Sequence, residues 1–273
     1  NEFFSKVIRG ITEIANLNDY NVFFFESNET PEKEHDSLKI FMEQRLCGLI
    51  IAPVAEDDPE TRKALRRIHR GGTPIILVDR DISGEKFDGV FADNRNGAYA
   101  AVETFIREGH RKISVISGPQ STKPGRERYE GYKKALEAHG IEIREEYVQN
   151  SDFRVQRAYE CANRLLALPD PPTAVFTSNN LSTLGFLKSM REHRITVGRD
   201  ISIIGYDVIE ALEILDYNIS VVQRDAVEQG RVAMRLMIER LRGKNAPEGV
   251  KELMPYRIVL KGSEKYDWRR HEG

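Results

Sequence analysis

Residues 173–207 read "TAVFTSNNLSTLGFLKSMREHRITVGRDISIIGYD". An apolar run, "TAVFTS", stops on Asn179 and Asn180. A helix-like stretch follows, and a second apolar run, "ISIIGYD", stops on a lone carboxylate, Asp207. Neither run alternates apolar with polar residues. Continuous β-branched and aromatic runs belong to strands covered on both faces, which occur in parallel sheets flanked by helices. Loop polarity alone would explain one polar strand end. Its recurrence about thirty residues on implies that both strand ends face the same thing.

The same alternation extends in both directions. Strand-like runs are "YNVFFFES" (20–27), "GLIIAP" (48–53), "PIILVDR" (74–80), "GVFAD" (89–93), "KISVISG" (112–118), "EYVQNSD" (146–152), "ISVVQR" (219–224) and "MPYRIVLKG" (254–262). Thr30 before Pro31, Asp58 before Pro59, and Asp225 with Glu228 mark helix starts. Val227, Ala233, Met234, Met237 and Leu241 fall on one stripe of the last long helix and read as core. "REGHRKI" (107–113), "EAHGI" (137–141) and "REHRI" (191–195) repeat one junction, a helix end followed by an Ile that opens the next segment. Such a pattern predicts an α/β chain of doubly wound parallel sheets. It also places His69, His110, His139 and His193 at helix C-termini, where positive charge is favoured. His35 falls inside a charged helix and His271 in the tail, and no histidine has a nucleophile or metal-ligand spacing beside it.

Composition narrows the function classes. The 273 residues suffice for two compact units, and 41 basic against 43 acidic residues give a formal charge of −2, so the chain lacks the electrostatic footprint of nucleic-acid or membrane binding. No apolar run reaches membrane-spanning length. Cys47 and Cys161 read as two separate buried thiols, which favours a reducing compartment. G-x-G-x-x-G, G-x-x-x-x-G-K-[ST], H-E-x-x-H and G-x-S-x-G are all missing. The residues nominate no catalytic group, metal site or cofactor. The sequence opens at Asn1 without Met or signal-peptide pattern, as a processed chain or an excised fragment would.

Polar and aromatic residues at strand ends remain. In an open parallel sheet, ligands bind outside the carboxyl ends of the strands. Arg80, Phe153, Asn179 and Asp207 stand there. A carboxylate accepts from two hydroxyls, an amide both donates and accepts, a guanidinium fork spans two oxygens, and a ring covers an apolar face. The set suits a small molecule rich in hydroxyls.

Six segments in order, "NEFFSKVIRGITEIA", "PIILVDR", "ADNRNGAYAAVETFIREGHRKISVISGP", "GRERYEGYKKALEAHGI", "PPTAVFTSNNLSTLGFLKSM" and "RDISIIGYD", resemble the effector-binding core of the lactose/galactose-repressor family. The resemblance covers Asn1 to Ser263. It implies the fold of periplasmic sugar-binding proteins, with two similar parallel-sheet lobes joined by three crossings near Asp93, Val222 and Tyr256, and an effector enclosed by them. The first lobe would comprise residues 1–92 and 224–255, and the second 93–221 and 256–273. The family's opening strand and helix-turn-helix module have no counterpart after Asn1.

Position by position, the resemblance carries ligand roles onto Phe3 and Phe4 of "N-x-F-F", Arg80, Arg128 of "R-x-x-G-Y", Phe153, Asn179 and Asp207. Each has a plainer reading: Phe3 and Phe4 as core, Arg80 as an ion pair with a neighbouring acid, Asp207 as a cap. Arg126 competes with Arg128, and the "R-x-x-G-Y" frame selects the latter. The chain departs from the family at Asn180 (usually Asp), Val208 (usually polar) and "VVQRD", where Arg224 and Asp225 replace a usual Gln-Pro. The implied function is that of a cytoplasmic transcriptional regulator, homodimeric, without cofactor, that senses a small molecule, in the first place a sugar. It would reach operator DNA only through a helix-turn-helix module preceding Asn1. The alternative is an extracytoplasmic sugar-binding protein of a transport system.

Overall fold

The computed structural model describes residues 2–243 and 249–267; His271 lies outside them. The chain divides into two units. The first comprises Asn1–Ala92, Ser121–Lys123 and Asp225–Pro255, and the second Asp93–Gln120, Pro124–Arg224 and Tyr256–Gly273. Arg224, grouped with the first lobe in the sequence reading, is the last residue of a second-unit strand. It pairs there with Tyr256.

In the first unit, β1 (Leu49–Ile51), β2 (Ile75–Val78), β3 (Asp88–Ala92) and β9 (Lys251–Met254) form a parallel sheet in that order. Helices α1 (Glu2–Asn16) and α9 (Ala226–Leu241) cover one face through Val7, Ile11, Ala233, Met234 and Met237 on Ile76 and Val90. Helices α2 (Pro31–Glu43) and α3 (Pro59–Arg70) cover the other through Leu38, Phe41, Leu65 and Ile68. Asp58 caps α3 by accepting from the N–H groups of Glu60 and Thr61. Thr30 makes no such side-chain bond, and Pro31 opens α2 by itself.

The contact of α1 with α9 is set by two glycines. A Cβ on Gly10 would stand 2.0 Å from the Val227 carbonyl oxygen, and one on Gly230 would stand 2.1 Å from that of Val7. Backbone meets backbone, which no side chain larger than hydrogen permits.

In the second unit the order is β10-β8-β7-β6-β4-β5. These are β4 (Ile113–Ser117), β5 (Val148–Asn150), β6 (Ala174–Thr177), β7 (Ser202–Tyr206), β8 (Ser220–Arg224) and β10 (Tyr256–Val259), with only β10 antiparallel. Helices α4 (Asn94–Arg107) and α5 (Lys123–Ala138) pack on one face, α6 (Val155–Leu166) and α7 (Asn180–Glu192) on the other. Both faces of β4, β6 and β7 are therefore buried, as their unbroken apolar runs require. The order reverses between β4 and β6, the switch point at which a doubly wound sheet opens a crevice beyond its strand ends.

Three expectations change. Residues 20–27 form no strand, and Phe23, Phe24 and Phe25 are exposed. Strand propensity does not act without a ladder partner, and β1 pairs only with β2 among the described strands. The run 254–262 contains parts of two strands rather than one. Pro255, which cannot donate to a ladder, separates β9 in one unit from β10 in the other. Cys47 is exposed, and only Cys161 is buried.

His110 also does more than face a helix end. Its ring is buried, shares a hydrogen bond with the Thr173 hydroxyl at 2.8 Å, and meets Phe105 and Tyr266 edge-on. Burial pushes its pKa down to about 4.

Two outcomes follow from this packing. Gly230→Ala is expected to destabilise the chain by about 1–3 kcal/mol through overpacking, read as a lower denaturant midpoint; an unchanged midpoint would show that α1 and α9 can part freely. Because the pKa of His110 is depressed on folding, its contribution is complete above about pH 6.5. As the pH falls towards 4 it is lost at about 1.4 kcal/mol per unit, on the order of 3 kcal/mol in all. Denaturation from pH 7.5 to 4 should therefore show a steeper loss in the wild type than in His110→Gln.

Candidate functional site

The switch point of the second unit gathers the polar strand ends. Arg128, on α5, is only 2% exposed. Its Nε donates to Asn94 Oδ1 at 2.9 Å, and its Nη1 donates to the Ser178 carbonyl at 2.6 Å. Its guanidinium carbon lies 3.5 Å from the centre of the Tyr206 ring. The end of β6, the start of α4 and the end of β7 thus meet on one side chain. A guanidinium without such partners would be too costly to bury.

Asn179 caps α7, accepting from the Ser182 N–H at 2.8 Å, and its Nδ2 donates to the Phe153 carbonyl at 3.1 Å. Phe153 holds φ +64°, a left-handed conformation unusual for a residue with a Cβ. Its ring lies against Gly118 at the end of β4, where a Cβ would come within 2.0 Å of Cζ. Glycine at this strand end lets the ring lie over the switch point. Two amide bonds and one close approach therefore fix an aromatic face and an amide beside the Arg128 fork.

Asp207 follows β7 with φ +71°, and its N–H donates to the Val222 carbonyl at 2.9 Å. Its carboxylate receives both arms of Arg224, Nε at 2.8 Å to one oxygen and Nη2 at 3.0 Å to the other. The expectation of a carboxylate open to two hydroxyls thus meets an ion pair already made. Arg224 also lies 5.6 Å from the Tyr206 ring centre. Arg224, Asn94 and Tyr206 are absent from the residue set read from the sequence. For Arg224 the available signal was a charge replacing a usual Gln at a strand end. Asn94 and Tyr206 gave none apart from their places in "DNRNG" and "GYD".

In the first unit, Phe3 is 5% exposed and belongs to the α1–α9 core, in edge contact with the half-buried Phe4. Arg80 is buried and forks onto Glu29, at 2.7 and 2.8 Å, while Nη1 also donates to the carbonyls of Pro53 and Val54. Burial works against its charge, but the Glu29 contacts prevail and raise its pKa. The neighbouring acids read from the sequence, Asp79 and Asp81, are not the hydrogen-bonded partners found here; Asp81 pairs with Lys251. Among the described residues no three His, Cys, Asp or Glu side chains could together hold a metal ion. No helix there is long and apolar enough to cross a membrane.

Doubly wound units with a polar cluster at the switch point define a small-molecule-binding protein, and the comparisons agree. The chain belongs to the family of the periplasmic binding protein-like domain, whose pattern matches residues 102–263. Its relatives are transcriptional repressors and not enzymes. The HTH-type transcriptional repressor PurR of Mannheimia succiniciproducens is 27% identical over 263 residues, 96% of this chain and 78% of that protein. A candidate ribose operon repressor from Burkholderia thailandensis is 28% identical, with a TM-score of 0.85 and 95% of each chain covered. The transcriptional regulator CelR in complex with cellobiose is 25% identical, with a TM-score of 0.86, covering 96% of this chain and 79% of that one.

The two bonds of Asn179 can be separated. Asn179→Asp keeps the cap on Ser182 but sets a carboxylate oxygen against the Phe153 carbonyl, and is expected to cost about 1–3 kcal/mol. Asn179→Ala loses both bonds, the cap among them being worth about 1 kcal/mol. Equal thermal stability of Asn179→Asp and wild type would show that the amide does not hold the 153 loop.

Proposed function

We propose that this chain is the effector-sensing domain of a transcriptional repressor, and that the effector binds at the switch point of the second unit. The observation that carries the reading is the convergence of Arg128, Phe153 and Asn179 on the carboxyl ends of β4 and β6. Donors, an acceptor and an aromatic face lie within one small region, as a hydroxyl-rich molecule requires. Asp207 joins the set through its partner Arg224. In the first unit, Phe4 and Arg80 are proposed as ligand contacts, and Phe3 as core.

Relatives named as repressors favour regulation over the transport alternative, and the sugars named for two of the matched proteins, ribose and cellobiose, support a sugar or sugar derivative as effector. The matched repressors are of HTH type. DNA contact is accordingly assigned to a helix-turn-helix module preceding Asn1, with the protein working as a cytoplasmic homodimer on a two-fold operator. The chain's formal charge of −2 fits a domain that leaves the phosphate contacts to another module. An effector changes operator affinity only if it binds the two operator-affinity states differently.

Calorimetry against a library of sugars and sugar derivatives tests the site. Arg128→Ala is expected to weaken binding of any hit by about 2–4 kcal/mol, because it leaves polar partners buried without their donor. Operator binding by the intact protein should change with the same hit. A hit whose affinity is indifferent to both Arg128→Ala and Asn179→Ala would remove the switch point as the binding site.

A further inference from the structure

We propose that the outward face of α3 is a docking surface for an acidic helix of another protein. The surface belongs to the first unit alone and stands apart from the effector site.

The sequence of α3, "PETRKALRRIHR", holds five Lys and Arg residues and one acid, in a chain whose formal charge is −2. Its apolar side chains go inward: Leu65 and Ile68 are buried in the core that α3 shares with α2 and the sheet. Lys63, Arg66, Arg67 and Arg70 are exposed. Their spacing is i, i+3, i+4 and i+7, which sets all four on one stripe, about 10 Å long at a rise of 1.5 Å per residue. Lys86, also exposed, adjoins the far end of the helix, since its neighbour Phe87 meets the His69 ring edge-on at 5.6 Å.

Acidic neighbours do not neutralise the stripe. Glu85 accepts from Arg66 Nε at 2.7 Å, and Asp57 stands 3.7 Å from Arg62. Among the described residues, Lys63, Arg67 and Arg70 have no ion-pair partner. On α2, by contrast, Lys39 pairs with Asp36, and basic and acidic residues are interspersed, the mixture that serves solubility. Within the stripe, Lys63 faces Arg66 and Arg67, and Arg70 faces the same two. Like charges at these helical spacings work against the helix. The helix dipole offsets this only in the last turn, where it favours Arg67, His69 and Arg70. The repulsion that remains is relieved when a row of carboxylates arrives.

Extent and sign choose the occupant. Double-stranded DNA carries a charge about every 1.7 Å along its whole axis, so a duplex laid on α3 would run past the stripe onto a chain that is otherwise net acidic. Glu60, exposed in the first turn, and Glu85 beside Arg66 already bound the patch. A helix with Glu or Asp at the same i, i+3, i+4 and i+7 spacing presents a stripe of equal length. Two helices side by side set such stripes opposite each other, as the flanking charges of coiled coils do. Arginine forks add bidentate geometry for the carboxylates. Exposed pairs are individually weak and screened by salt, so the contact forms and breaks readily.

The probe is an alanine-based helical peptide of about fifteen residues with four glutamates at i, i+3, i+4 and i+7, read by fluorescence anisotropy against the purified chain. Its isomer with the four glutamates spread round the helix, and a DNA duplex of about twenty base pairs, are measured beside it. The striped peptide is expected to bind at least about fivefold more tightly than its isomer at low salt, and about tenfold more weakly when salt rises from about 50 to about 300 mM. Lys63→Gln, Arg67→Gln and Arg70→Gln together should bring the preference below about twofold. The melting temperature should stay within about 2 °C of wild type, because the exposed side chains leave no packed contact behind. Should the triple variant fail to fold, Lys63→Gln, which lies outside the last turn, should by itself weaken the striped peptide about threefold. Equal binding of the two peptides, no binding of either at low salt, or a preference that survives loss of the stripe would overturn the inference. Duplex DNA bound more tightly than the striped peptide would overturn it too, in favour of a nucleic-acid surface.

Discussion

A strand buried on both faces has nowhere to put polar chemistry except its ends. The central strands of the second unit, β4, β6 and β7, are covered by α4 and α5 on one side and α6 and α7 on the other. Their side chains are committed to packing along the whole run. The backbone direction then sorts the ends. In a parallel sheet all carboxyl ends lie together, so whatever follows β4, β6, β7 and β8 is brought to one rim. Gly118, Ser178, Asn179, Asp207 and Arg224 are neighbours for that reason, although they span more than a hundred positions of chain.

Close approach does the rest. Gly118 lacks the Cβ that would exclude the Phe153 ring, and Asn179 ties the Phe153 carbonyl to the head of α7. Arg128 is drawn in from a helix and held by groups from α4 and from the end of β6. These bonds are short and mostly buried, so the rim is a preorganised surface rather than a set of free side chains. Left-handed backbone at Phe153 and Asp207 shows strain accepted at this rim and offset by the same bonds.

The same rim also carries buried charge. A buried ion pair contributes little net stability against the desolvation of its two members. The Asp207–Arg224 fork therefore matters less as a brace than as a tie between the ends of β7 and β8. It also sets a second guanidinium near the Tyr206 ring. Arg80 and Glu29 make a comparable fork in the first unit, where the carbonyls of Pro53 and Val54 share the load.

Period and composition alone determined the alternation of strands and helices, the parallel class of the sheets and the helix caps at Asp58 and Asp225. Those features are local: an unbroken β-branched run, a carboxylate three residues before a backbone N–H, a proline at a first turn. Asn179 and Asp207 were legible as strand-end residues for the same reason. Tertiary structure decided what no local signal carries. Residues 20–27 have full strand propensity but no ladder partner, and Pro255 divides one apolar run between two sheets. Phe3 turned to the core because Gly10 and Gly230 let two helices touch. Arg224 found Asp207, seventeen residues back, because β7 and β8 run side by side in the same direction. Pairing of that kind depends on which strands become neighbours, and the period of a sequence does not encode it.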